Sequence, residues 1–232
     1  MPGAAEAAAA LQRLDEITRR LRAECPWDRE QDERSIVLHT VEEAYELADA
    51  AQNGDDAKLL DELGDVLFQV HFLSLLLEER GAGDLAAVAE HCRAKLIRRH
   101  PHVFGDVQAE DAATVLRNWD AIKREEAGRE PGVFADVPET LPSPLYARKL
   151  LRRAASAGRE WPDGGALARL RAEVSRAEAA ADHDDRDERF EAIGDLLFAA
   201  VALARELHVD PELALRAAAD RFRSNVEAGS AA

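Results

Sequence analysis

Five carboxylates in one short stretch are the residues of this chain best placed to do chemistry. Glu42, Glu43 and Glu46 precede a Gln52-Asn53-Gly54-Asp55 turn, and Glu62 and Asp65 follow it. Glu43 and Glu46 are three residues apart, as are Glu62 and Asp65, so on helices each pair shares a face. Val41, Ala44, Tyr45, Leu47 and Ala48 surround the first pair; Leu63, Val66, Leu67 and Val70 surround the second. The acids therefore border an apolar stripe at the edge of a core. A turn this short makes the two helices an antiparallel hairpin, in which the pairs can meet. Four carboxylates that close repel one another and are poorly solvated, so they either hold a proton or hold a hard cation through oxygen. One acidic helix face is ordinary in a chain with 46 Asp and Glu against 30 Lys and Arg. The second pair across the turn favours the cation.

The elements that must carry these residues read as helices throughout. Leu11, Leu14, Ile17 and Leu21 form one stripe on a first helix over residues 4–23, which the Cys25-Pro26 step ends. Trp27 is read as a core plug ahead of a lid on a ligand. Gly64, inside the second helix of the hairpin, costs about 1 kcal/mol against alanine. Close approach of a neighbouring helix beside Asp65 is the expected reason for it. Asp84 is placed to cap a fourth helix that ends in Lys95, Arg98 and Arg99. Basic residues at that end complement the helix dipole, and three cations within five residues also suit a polyphosphate. A fifth helix over residues 109–126 contains Trp119. Gly128 to Pro144 reads as a Gly- and Pro-rich linker, and a basic helix with Arg148, Lys149, Arg152 and Arg153 follows it.

Glu-Glu-x-x-Glu, a spacer, then Glu-x-x-Asp resembles the signature of the all-α nucleoside triphosphate pyrophosphohydrolases, the MazG-like superfamily. Cys25-Pro26-Trp27-Asp28 ahead of it and Arg98-Arg99-His100-Pro101-His102-Val103-Phe104 behind it resemble the flanking motifs of MazG itself. So do Val137-Pro138 through Leu141-Pro142, Lys149, Ala154-Ala155, Gly158 and Trp161-Pro162. The motifs span nearly the whole chain in family order. The resemblance implies an all-α fold of two MazG-like helical repeats forming helix bundles, and hydrolysis of a (d)NTP to (d)NMP and pyrophosphate. Glu43, Glu46, Glu62 and Asp65 would bind magnesium, or manganese in its place. Lys58, Lys95, Arg98 and Arg99 would hold the phosphates, with Trp119 against the base. Lys58 is also spaced for an ordinary ion pair with Glu62. Glu42 is the candidate to accept the proton of the attacking water, or else supports a ligand or the ribose. Family precedent adds a homodimer and a role in clearing aberrant nucleotides.

The second half repeats the first at an offset of 130. Glu191-Ala192-Ile193-Gly194-Asp195-Leu196-Leu197-Phe198 matches Asp61-Glu62-Leu63-Gly64-Asp65-Val66-Leu67-Phe68, and Glu43 falls on Glu173. Glu42 becomes Ala172, Glu46 becomes Arg176, Glu62 becomes Ala192 and Lys58 becomes Glu188. The apolar skeleton is kept and the chemistry is lost, because two carboxylates beside an arginine need no metal. The expected organisation is a catalytic helical domain over residues 1–127, a linker over 128–144 and a degenerate copy over 145–232.

A net charge of −16 argues against a nucleic acid or an anionic membrane as partner. Cys25 and Cys92 form neither a disulfide framework nor a zinc ribbon, which points to a reducing, cytoplasmic setting. The longest apolar run, Leu196–Ala204, is too short to span a bilayer. The acidic tract from Asp182 to Glu188 fails as a calcium loop because Arg186 and Asp187 stand where a ligand and glycine are needed. Two other functions share features with this reading: a pyrimidine-specific dUTP or dCTP hydrolase with the same acidic signature, and a non-catalytic dimeric scaffold.

Overall fold

The computed structural model describes residues 3–126, 132–135, 137–159 and 165–229. Trp161-Pro162 and part of the expected linker lie outside them. Among the described residues the chain is helical without strands. It forms two compact units, Met1–Asp106 and Val107–Ala232.

The first unit holds α1 (Ala4–Glu24), α2 (Pro26–Glu30), α3 (Glu33–Asn53), α4 (Asp56–Glu79), α5 (Leu85–Arg99) and α6 (Pro101–Phe104). Its centre is the α3–α4 hairpin, with α1 and α5 laid on α4. Local chemistry sets the hairpin ends. Asp32 accepts from the Arg34 and Ser35 amides while Ser35 Oγ accepts from the Asp32 amide, a closed capping box. Gly54 ends α3 at φ +66, a conformation that favours glycine. Asp55 then caps α4 through the Ala57 and Lys58 amides. Ile36, Phe72 and Leu76 form the buried core, with Phe68 and Leu73 packed against them.

Two expectations change here. Trp27 is 51% exposed and so is no core plug. A Cβ added at Gly64 meets nothing within 4 Å, so among the described residues no helix approaches there closely enough to require glycine. Gly64 lies instead on a face of α4 where Leu60, Leu63, Leu67 and Val70 are all exposed. The stripe on α1 is likewise open at Leu11, Ile17 and Leu21.

The second unit holds α7 (Ala112–Glu125), α8 (Ser143–Ser156), α9 (Gly165–Ala181), α10 (Arg186–Glu206) and α11 (Pro211–Gly229). The division between units falls ahead of α7. Helices α9 and α10 make its hairpin, with α8 on α10 and both α7 and α11 on α8. The basic helix α8 finds its acidic partners inside this unit. Arg148 pairs with Asp210 at 2.8 Å, and Arg152 and Arg153 reach buried Asp120 at 3.3 and 3.6 Å. Buried positions of the two hairpins correspond at the offset of 130: Ile36 with Ala166, Ala50 with Ala180, Glu62 with Ala192, Gln69 with Ala199 and Phe72 with Ala202.

Candidate active site

The hairpin brings three of the five acids together. One carboxylate oxygen each from Glu43 on α3 and Glu62 and Asp65 on α4 lie within 4.8 Å of one another. Oxygen ligands of one hard cation sit at about 2.0–2.6 Å from it and so stand no more than about 5 Å apart. The cluster fits that span with an all-oxygen donor set. Glu62 is buried, Glu43 half-buried and Asp65 exposed, which leaves one side open.

The electrostatics are those of a site short of positive charge. Burial raises the Glu43 carboxyl above its ordinary range, and the charges of Asp65, Glu46, Glu62 and Glu42 raise it further. Burial also raises Glu62, reinforced by Glu46 and opposed by Lys58. Glu46 thus bears on both residues, although its carboxylate is not part of the three-oxygen cluster. Lys58 Nζ stands 3.9 Å from Glu62 Oε1, the one-turn pair that the spacing predicts.

Glu42 projects to the exposed side, with Oε2 3.1 Å from His39 Nδ1. A carboxylate only accepts, so Nδ1–H is the donor. The Trp27 and His39 rings meet in an edge-type arrangement, with centroids 5.7 Å apart. The segment carrying Trp27 is held by Arg22, whose Nη1 donates to the Asp28 and Gln31 carbonyls. The same guanidinium pairs with Glu79 at 2.8 Å and lies over the Phe72 ring. His39 and Arg22 were not singled out from the sequence. His39 had a signal, since it stands three residues before Glu42 on one helix face. Arg22 had none, because its partners come from three elements.

Lys95, Arg98 and Arg99 occupy the last turns of α5, which packs on α4. Trp119 is half-buried on α7, in the second unit.

The second hairpin shows the same positions with a different solution. Arg176, at the place of Glu46, contacts Asp195 and lies 3.7 Å from both Glu173 and Glu191. Arg169, at the place of His39, pairs with Glu173 at 2.6 Å. Guanidinium groups neutralise the two surviving carboxylates.

Comparison with known proteins fits this arrangement. The family model of the MazG nucleotide pyrophosphohydrolase domain matches residues 31–104, which contain the whole first hairpin. A nucleoside triphosphate pyrophosphohydrolase of Escherichia coli (strain K12) is 39% identical over 220 residues, covering 91% of this chain and 84% of that protein. The chain belongs to the MazG family. A MazG-named nucleoside triphosphate pyrophosphohydrolase/pyrophosphatase of Thermotoga maritima is 37% identical over 221 residues, covering 94% of this chain and 84% of the relative. A pyrophosphohydrolase of Mycobacterium tuberculosis is 35% identical over 143 residues, covering 60% of this chain and 43% of its own length. Likeness to the first two MazG relatives therefore runs through both hairpins.

Proposed function

We propose that this chain hydrolyses nucleoside triphosphates to the monophosphate and pyrophosphate, with the chemistry in its first hairpin. The observation that carries this is the convergence of Glu43, Glu62 and Asp65 on one point, beside Lys58, in a chain of the MazG family.

Glu43, Glu62 and Asp65, with Glu46 one turn along, would hold magnesium, for which manganese could substitute. A bound ion would supply the positive charge that a polyphosphate needs among these acids. Lys58, Lys95, Arg98 and Arg99 would bind the phosphate oxygens. Glu42 would take a proton from water as the water oxygen bonds to the α-phosphorus. The bond from that phosphorus to the bridging oxygen breaks, and its electron pair leaves with pyrophosphate.

The second hairpin, within residues 145–232, has a structural role in this reading. Arg176 supplies internally the charge that the first hairpin would take from solution. Uncovered apolar residues on α4 support a homodimer, since a hairpin with Leu60 and Leu63 in water is incompletely buried. Among the described residues no helix is long and apolar enough to cross a membrane. The family resemblance adds a cytoplasmic setting and a role in removing aberrant nucleotides.

The test is product analysis across canonical and damaged nucleotides with magnesium. Pyrophosphate and monophosphate should appear with the wild-type chain and not with Glu43→Gln. Orthophosphate as the product, or equal silence of both proteins, would refute the assignment; the second result would favour the scaffold.

A further inference from the structure

We propose that His39 is a positioning residue for Glu42, with Trp27 fixing the plane of its ring. The inference rests on the reading of Glu42 as proton acceptor and extends it to residues outside the acidic signature. Three observations support it.

The first is geometric. His39 Nδ1–H donates to Oε2 of Glu42 at 3.1 Å, which leaves Oε1 free. A carboxylate on an exposed helix face would otherwise rotate among several orientations. Anchoring one oxygen turns the other toward a fixed direction, as a base that must meet one water requires. The proton then passes from water to Oε1, and the water oxygen forms its bond to phosphorus as the pyrophosphate oxygen leaves.

The second is the support of the imidazole. Trp27 presents its ring at 62° to that of His39. Trp27 is itself held, since its segment is tied down by the Arg22 contacts to the Asp28 and Gln31 carbonyls and by Gln31 Nε2 donating to the Trp27 carbonyl. A tryptophan that is 51% exposed yet anchored at its backbone is poorly explained by core packing.

The third is an internal control. The second hairpin buries the corresponding positions at the offset of 130, with other side chains at four of the five, and replaces both members of the pair: His39 by Arg169 and Glu42 by Ala172. Arg169 bonds Glu173 instead. The two positions change together with Glu46 and Glu62, whereas Glu43 and Asp65 keep counterparts in Glu173 and Asp195.

The experiment measures kcat and KM for pyrophosphate release together with manganese affinity by electron paramagnetic resonance. The proteins are wild type, His39→Leu, His39→Asn, Glu42→Gln, His39→Leu/Glu42→Gln and Glu43→Gln. A general base contributes about 10²–10⁴ in rate, so Glu42→Gln should lose that range and His39→Leu about tenfold or more in kcat. KM and manganese affinity should stay unchanged in both. Asn places an amide N–H where Nδ1–H stands, so His39→Asn should recover most of the lost rate. The double variant should be no slower than Glu42→Gln alone, because a misplaced base and an absent one are equivalent. Wild-type kcat in His39→Leu, an Asn variant as slow as Leu, multiplied losses in the double variant, or loss of manganese binding would each overturn the inference. If these occur while wild type is active and Glu43→Gln is silent, only the role of His39 falls. If wild type itself releases no pyrophosphate, this inference falls together with the activity.

Discussion

Replacing Arg176 by methionine should turn a metal-indifferent hairpin into a metal-responsive one. Methionine keeps much of the arginine stem and removes the charge. Arg176 lies 3.7 Å from Glu173 and from Glu191 and also contacts Asp195. At that distance a pair of unit charges attracts by about 1 kcal/mol in water and about 4–5 kcal/mol at an effective dielectric constant of 20. Arg176 is 44% exposed, Glu191 71% and Asp195 48%, so the watery end of that range governs two of the contacts. Glu173 is buried, but Arg169 at 2.6 Å keeps it partnered. The three contacts together should be worth about 1–3 kcal/mol, or about 3–10 °C in Tm for a chain of this size. The assay is thermal unfolding of Arg176→Met against its parent, with and without manganese, in a Glu43→Gln background that silences the first hairpin. Tm should fall without metal and recover in part with it, whereas the parent should ignore manganese. An unchanged Tm, or a parent that responds as strongly as the variant, would refute the idea that the guanidinium stands where an ion would.

Glu43→Gln should abolish both pyrophosphate release and the rise in Tm on adding manganese to the otherwise wild-type chain. Lys58→Ala should raise KM by about tenfold, the effect of one lost charge-assisted contact, with kcat less affected, as steady-state kinetics would show. Phe72→Ala should cost about 3–5 kcal/mol in chemical denaturation, because the ring is fully buried beside Ile36 and Leu76. Arg19 and Arg22 hold the Glu78 and Glu79 carboxyls below their ordinary range. Their contribution is therefore complete above the unfolded carboxylate value and is lost as pH falls through the lowered values; Tm should drop as pH falls through and below the ordinary carboxylate range, and Glu78→Gln/Glu79→Gln should flatten that slope.

Much of the first hairpin was legible because its determinants are local. Helical spacing placed Glu43 with Glu46 and Glu62 with Asp65, the turn residues placed the pairs across from each other, and Asp84 caps the helix it precedes. The degenerate copy was legible for the same reason: Arg176 falls on the same face as Glu173, and the structure joins them. What escaped depends on elements distant in the chain. Trp27 reads as core, yet it is 51% exposed on a segment that Arg22 holds through the neighbouring carbonyls. Gly64 suggested a close helix, but the face around it is open, which no periodicity within α4 could reveal. Glu46 has the spacing of a ligand, yet spacing alone does not say which oxygens converge.

Arg22 ties the turn bearing Trp27 to the far end of α4, gripping Glu79 with one edge and backbone carbonyls with another. On the proposed reading, the rim of the site is thus held from the base of the hairpin, by a route that bypasses the carboxylates. Slackening that tether would loosen the doorway and leave the ion cradle intact. Turnover and cation affinity would part company, and a change at residue 79 would be felt by a substrate it never touches.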